Sequence, residues 1–170
     1  MMFFNRIFKT IILIEVLQLI LSVNSKEIHC NSLVNVNWEF SGKVENFVTC
    51  FIDHLIEEQN ETFSRRKNNP KVFGLKFANN QNLFLPVKVS MIFPNLITYN
   101  ASSTSIKQIV KENFVRLGSL KFLDLSRNQI EKIYGDTFED LESLEEVHLS
   151  KFLFCQFFLQ FSKSFELFNL

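Results

Sequence analysis

Apolar residues recur through the middle of the chain with a period of 24 residues. The clearest copy begins at Leu120 and reads LKFLDLSRNQIEKIYGDTFEDLES, and neighbouring copies begin at Leu96 and Leu144. The apolar residues three and five positions after the start of each copy show the alternation of a short strand with one buried face. A period of this length predicts a solenoid, in which each copy packs against the next.

The two central copies also share apolar residues well beyond the predicted strand. These positions are Ile106, Ile109, Phe114 and Leu117 in one copy and Ile130, Ile133, Phe138 and Leu141 in the next. Phe114 and Phe138 are expected to stack as a core spine on the return side of the solenoid. Thr104 and Asn128 occupy a turn position, where a polar side chain can bond backbone groups that the turn leaves unpaired.

A weaker copy precedes these two and carries Asn82 at an expected core position, so we expect a distorted repeat there. Pro86 and Pro94 exclude a long helix on its outer side. The common register predicts four successive strands, at residues 74–78, 98–102, 122–126 and 146–150.

The pattern LxxLxLxxNxIxxIxxxxFxxL of the copy from Leu120 resembles that of leucine-rich repeat proteins, in particular small secreted insect-type members. The resemblance covers roughly residues 72–149, and the repeats are assigned to residues 71–150. It implies an α/β solenoid with a parallel sheet on the concave face and irregular or short helical segments on the convex face. It leaves the partner open, because this fold hosts many unrelated ligands.

The first 25 residues have the composition of a signal peptide. Arg6 and Lys9 precede the apolar run Ile11–Leu21, and Val23 and Ser25 are small residues at a suitable cleavage position. A membrane anchor is the alternative, but the run is interrupted by polar side chains and is shorter than the roughly 20 residues needed to span a bilayer. We therefore predict a secreted chain, with no stable membrane span after cleavage.

Residues 26–70 are predicted to form a small N-terminal β cap followed by a polar segment, which is either a loop or a degenerate first repeat. Two β-prone runs, Leu33–Val36 and Phe47–Ile52, flank the turn-like pair Ser41-Gly42. Cys30 and Cys50 lie within this segment, and an oxidising compartment favours a disulfide between them over two unpaired thiols.

The concave face of the sheet is the expected binding surface, and the register groups its outward positions into three columns. The first column is Gly74, Thr98, Phe122 and Glu146, the second is Lys76, Asn100, Asp124 and His148, and the third is Ala78, Ser102, Ser126 and Ser150. Phe122 is predicted to face solvent as a binding residue, although an incidental surface Phe is the alternative. Asp124 and His148 are expected to be neighbours, as a weak pH-responsive pair.

Two sequons fit a secreted chain, Asn60-Glu61-Thr62 in the polar loop and Asn100-Ala101-Ser102 in the concave face. A glycan on Asn100 would obstruct part of the expected binding surface; an unused sequon is the alternative.

The repeat pattern fails in the Phe-rich tail of residues 151–170, which contains Cys155 outside the predicted cap disulfide. Truncation of a longer sequence, an aromatic plug over the last repeat and a membrane-seeking tail all remain open for this tail.

The composition gives no sign of catalysis or nucleic-acid binding. Lys and Arg number 18, Asp and Glu also number 18, and no basic stripe is present. No catalytic, cofactor or metal-ligand motif occurs. We therefore expect a non-catalytic scaffold that needs no cofactor and binds an extracellular protein or glycoconjugate. The alternative is a truncated piece of a cell-surface receptor ectodomain.

Overall fold

The computed structural model describes residues 27–28, 30–53, 55–57, 62–63, 71–78 and 81–149. Several predictions lie outside this part of the chain: the signal peptide, the Asn60 sequon, most of the polar loop, Ser150 of the third column, Cys155 and the character of the Phe-rich tail.

Eight strands make up the regular structure of the described residues. They are β1 (Glu27–Ile28), β2 (Ser32–Phe40), β3 (Lys43–Ile52), β4 (Thr62–Phe63), β5 (Gly74–Phe77), β6 (Thr98–Asn100), β7 (Phe122–Leu125) and β8 (Glu146–Leu149). The last four coincide with the four strands predicted from the repeat register and end one or two residues earlier.

Six of the strands form one sheet in the order β2-β3-β5-β6-β7-β8. β2 and β3 are an antiparallel hairpin, and every later pair is parallel. β1 and β4 form a separate parallel pair. Successive repeats thus add one parallel strand each to the inner wall, and the predicted leucine-rich repeat type of solenoid is confirmed.

The hairpin is the predicted β cap, and it is longer than the two β-prone runs indicate. Ser41 and Gly42 form its tight turn, and both have left-handed backbone conformations, with φ of 49° and 70°. Cys30 and Cys50 form the predicted disulfide, with their Cα atoms 5.5 Å apart. The disulfide therefore joins the segment before β2 to β3, the strand of the cap that pairs with β5.

The main core lies between the sheet and the outer segments, and the residues at the repeat offsets are buried in it. Four aromatic rings cross this core as a continuous row: Phe77 stacks on Tyr99 at 5.8 Å between centroids, Tyr99 meets Phe114 at 6.2 Å, and Phe114 meets Phe138 at 5.4 Å. The predicted contact of Phe114 with Phe138 is confirmed. The row therefore joins the three repeats that contain β5, β6 and β7.

Asn128 binds the turn of its own repeat to the turn of the preceding repeat. Its Nδ2 donates to Leu125 O at 2.9 Å and to Ala101 O at 2.7 Å. Its Oδ1 accepts from the backbone N–H groups of Thr104, at 3.1 Å, and Ile106, at 3.0 Å. One side chain therefore satisfies backbone groups from two adjacent turns, as the sequence pattern predicts.

The outer segments contain no long helix within the described residues. Short 3₁₀ helices occupy Val89–Met91 and Lys111–Asn113, and the first of them agrees with the restriction imposed by Pro86 and Pro94. Asn82 is fully buried at the core position that we expected to be distorted. Its Oδ1 accepts the backbone N–H of Ile56 at 2.8 Å, so a polar residue is accommodated by a hydrogen bond.

Candidate functional site

The concave face is built by the predicted columns, because the strand register aligns them residue for residue. Gly74, Thr98, Phe122 and Glu146 are successive partners across the parallel strands, and so are Lys76, Asn100, Asp124 and His148. Neighbouring strands lie about 4.8 Å apart. A partner that used the four repeat strands alone would therefore contact a strip only about 15 Å across.

The end of the hairpin folds over the first column and covers it. Phe122 lies beneath two aromatic side chains of β2, with its ring centroid 6.1 Å from Trp38 and 6.0 Å from Phe40. Only 5% of Phe122 remains exposed. The prediction that Phe122 faces solvent is wrong, because the hairpin supplies an apolar cover for its ring. These three residues form a second, smaller core on the concave side.

Gly74 makes room for the Trp38 indole in the first column. A Cβ on Gly74 would clash with Thr49 Oγ1 and would come within 3.0 Å of Trp38 Nε1. The indole N–H itself donates to Thr49 Oγ1 at 2.9 Å. The glycine is therefore needed for close approach of the hairpin to the sheet, and its backbone conformation is not the reason for its presence.

Thr98, the next residue of the first column, is also inaccessible. It is fully buried, and its Oγ1 has no hydrogen-bond partner. Thr98 was a candidate binding residue, and the structure places it in the interior. The covered part of the first column thus extends from Gly74 through Phe122.

The tip of the hairpin is fastened to the last member of the first column. The Ser41 N–H donates to Glu146 Oε2 at 2.6 Å. The second carboxylate oxygen, Oε1, lies 2.6 Å from His148 Nε2, and the His148 ring packs edge-on against Phe122 at 5.3 Å. His148 and Asp124 are register partners, as expected. The His148 side chain nevertheless contacts Glu146 instead of Asp124.

The second column remains the polar strip of the concave face. Asn100 Nδ2 donates to Asp124 Oδ2 at 3.1 Å, and Asp124 Oδ1 accepts the Ser126 N–H at 2.9 Å. These bonds hold Asp124 almost buried, while Asn100 and His148 stay partly exposed. Lys76 is also partly exposed, and its Nζ lies 5.9 Å from the centre of the Phe51 ring.

The Asn100 sequon is part of this ordered strip. Asn100 Oδ1 accepts the Ser102 N–H at 3.0 Å and the Ser102 hydroxyl at 2.8 Å. Ala101 between them is fully buried. The amide of Asn100 is thus held by hydrogen bonds on both its oxygen and its nitrogen in the folded chain.

The packing of the hairpin over the first column could be anticipated in part from residues outside the repeat pattern. Val34, Val36, Trp38 and Phe40 alternate along β2, which marks one continuous apolar face that extends past the predicted run. Gly74 stands alone as a glycine among larger first-column residues. Both observations are consistent with a bulky group above β5, but neither identifies Phe122 as its contact.

Side chains that could bind a metal ion are not clustered in the described residues. No group of three His, Cys, Asp or Glu side chains there is placed to hold a metal ion. Within the same ranges no helix is both long and apolar enough to cross a membrane.

The family comparison matches the part of the chain that bears the clearest copies. Residues 95–151 match the model of the leucine rich repeat family. Leucine-rich repeats therefore occupy this part of the chain. Such repeats indicate a protein-interaction scaffold, and the family is typically non-catalytic. Neither the curated proteins nor the solved structures contain a significant match to the chain.

Proposed function

We propose that the chain is a secreted, non-catalytic leucine-rich repeat protein that binds another extracellular protein or a glycoconjugate through its second column. The observation that carries the proposal is the contrast between two adjacent columns. The first is covered by the hairpin, whereas the second presents Lys76, Asn100 and His148 at the surface.

The second column is suited to recognition because several of its side chains are already ordered. Asn100 and Asp124 hold each other, and Glu146 holds His148. A partner that binds such side chains loses less conformational freedom than one that must order them. Charges of both signs lie along the strip, since Lys76 stands at one end and Glu146 beside the other, which favours a polar partner of mixed charge.

Secretion is supported by two independent features of the N-terminal region. Residues 1–25 have the composition of a signal peptide. The Cys30–Cys50 disulfide lies within the cap, and such bonds persist mainly in oxidising compartments.

Expression of the full chain in animal cells tests secretion. We expect the medium to contain a product that begins near Lys26 and has lost the mass of two hydrogens through the disulfide. A product that keeps Met1, or that carries free thiols at both Cys30 and Cys50, would contradict the proposal. A product retained on the cell surface would favour the receptor-ectodomain alternative.

Binding is tested by probing arrays of extracellular proteins and glycans with the secreted product. For any partner found, Lys76→Glu should weaken binding by about tenfold, because it reverses a charge inside the strip. Lys107→Glu is the matched control, since Lys107 is exposed but lies outside the strands. Equal affinity of both variants would place recognition elsewhere on the molecule and overturn the assignment to the second column.

A further inference from the structure

Among the described strands, β2 is the first strand of the six-stranded sheet, and its outer edge has no neighbouring strand. Phe40 and Lys43 flank the two-residue turn and are therefore a hydrogen-bonded pair. Because such pairs alternate along an antiparallel ladder, the backbone N–H and C=O groups of the even-numbered residues of β2 point towards β3. The N–H and C=O groups of Leu33, Asn35 and Asn37 therefore point outward. Within the described part of the chain, no backbone group bonds to this outer edge.

This edge lacks the features that usually protect a strand from pairing with another chain. Proteins protect edges with charges, prolines, bulges or short strands. β2 is nine residues long, and Ser32–Asn37 contains neither a charge nor a proline. Leu33 is 52% exposed and Val34 is 48% exposed, one on each face of the strand. The opposite edge of the sheet, β8, carries Glu146 and His148 instead.

A second copy of the same chain fits this edge in both charge and shape. Residues 26–170 contain 16 Lys and Arg and 17 Asp and Glu, a formal net charge of −1, so two copies meet without a large electrostatic penalty. If two β2 strands run antiparallel about a two-fold axis at Asn35, the outward backbone groups of Leu33 face those of Asn37 in the other copy. The same pairing places Val34 against Val36 of the other copy on the concave side.

Val36 gives this arrangement continuity with an existing core. It already packs against the cluster of Trp38, Phe40 and Phe122. Covering Val34 with a second Val36 would extend that cluster across the two-fold axis. We propose that the protein forms a symmetric dimer in which β2 pairs with β2 and joins the two sheets into one.

Sedimentation velocity of the purified secreted chain, over a concentration series, tests the dimer. The expected result is a species of twice the chain mass at micromolar concentrations. Amide hydrogen exchange of Leu33, Asn35 and Asn37 should slow as the dimer fraction rises, because only these outward groups gain partners. A chain that stays monomeric throughout the series overturns the proposal.

Two variants separate edge pairing from other association. Asn35→Pro removes an outward N–H and none of the hydrogen bonds to β3, so it should return the mass to one chain without unfolding. Val34→Lys should do the same by adding charges beside the axis. Val44→Lys is the control, since Val44 is 66% exposed on β3, and it should leave the dimer intact. Persistence of the dimer in Asn35→Pro, with Trp38 fluorescence unchanged, would also overturn the proposal.

Discussion

The hairpin and the repeats use different contacts to cover apolar surface. Each repeat packs mainly on its neighbours, through the aromatic row and the Asn128 turn bonds. The hairpin reaches past its neighbour β5, and its Trp38 and Phe40 contact Phe122 on β7. In this solenoid the N-terminal hairpin therefore covers part of the concave face, which a binding partner cannot then reach.

The largest effect is expected in the aromatic row of the repeats. Phe114→Ala should lower the free energy of unfolding by about 3–5 kcal/mol, because it leaves a cavity in contact with both Tyr99 and Phe138. Urea unfolding followed by circular dichroism measures this loss. Tyr134→Ala is the control, since Tyr134 is 48% exposed, and an equal loss in both variants would contradict the assignment of the row to the core.

The docking of the hairpin is tested at Gly74. Gly74→Val should destabilise the protein by about 1–3 kcal/mol by overpacking the space under Trp38. Trp38 is the only tryptophan, so its fluorescence should also shift to the red as the indole becomes hydrated. Gly118→Ala serves for comparison, because its added Cβ would meet only Asp140 O, at 3.7 Å. Unchanged Trp38 emission in Gly74→Val would show that the hairpin does not need the glycine.

The repeats could be predicted from the sequence much better than the hairpin cover. The strand that contains Tyr99 and the turn role of Asn128 follow from a period that recurs along the chain. The cover depends on Trp38 meeting Phe122, a contact between distant segments that no repeat encodes. Phe122 lies under this cover and Thr98 is also buried, so neither is an exposed candidate, whereas Lys76 and Asn100 remain partly exposed.

A smaller gain in stability is expected at Tyr99. Its hydroxyl is buried without a hydrogen-bond partner, and this burial raises the pKa of Tyr99 well above 10.0. Tyr99→Phe should therefore stabilise the protein by about 1–2 kcal/mol at neutral pH. Urea unfolding at several pH values measures the difference between the two proteins.

The pH dependence of this difference has a definite sign. Because the folded-state pKa of Tyr99 is raised, the unfolded chain releases the phenolic proton first as pH rises above about 10. The advantage of Tyr99→Phe should therefore grow above that pH. A variant that is less stable than the parent at neutral pH would indicate a hydrogen bond to this hydroxyl.

The smallest effect is expected for the ion pair between Lys111 and Glu139 on the outer face of the repeats. Their atoms Nζ and Oε2 lie 2.5 Å apart, and the hydrogen bond to Glu139 is the main cause that raises the pKa of Lys111. The stabilisation is present at neutral pH and is lost as pH rises through the folded-state pKa of Lys111. Glu139→Gln should thus be slightly less stable at neutral pH and low salt, and equal to the parent in strong alkali.

High salt provides a second check on this pair. Both side chains are exposed, so added salt should remove most of the difference between Glu139→Gln and the parent. A difference that survives in high salt would mean that the Glu139 carboxylate acts through some other contact.

The bond between the Ser41 N–H and Glu146 links positions 105 residues apart. Solenoids usually unfold as a series of units coupled only to their neighbours, with the end units fraying first. Here the unit at β8 cannot fray without releasing the tip of the cap at the other end. The hairpin therefore couples the cap directly to β8, the last strand of the described residues, and we expect these two parts to unfold together.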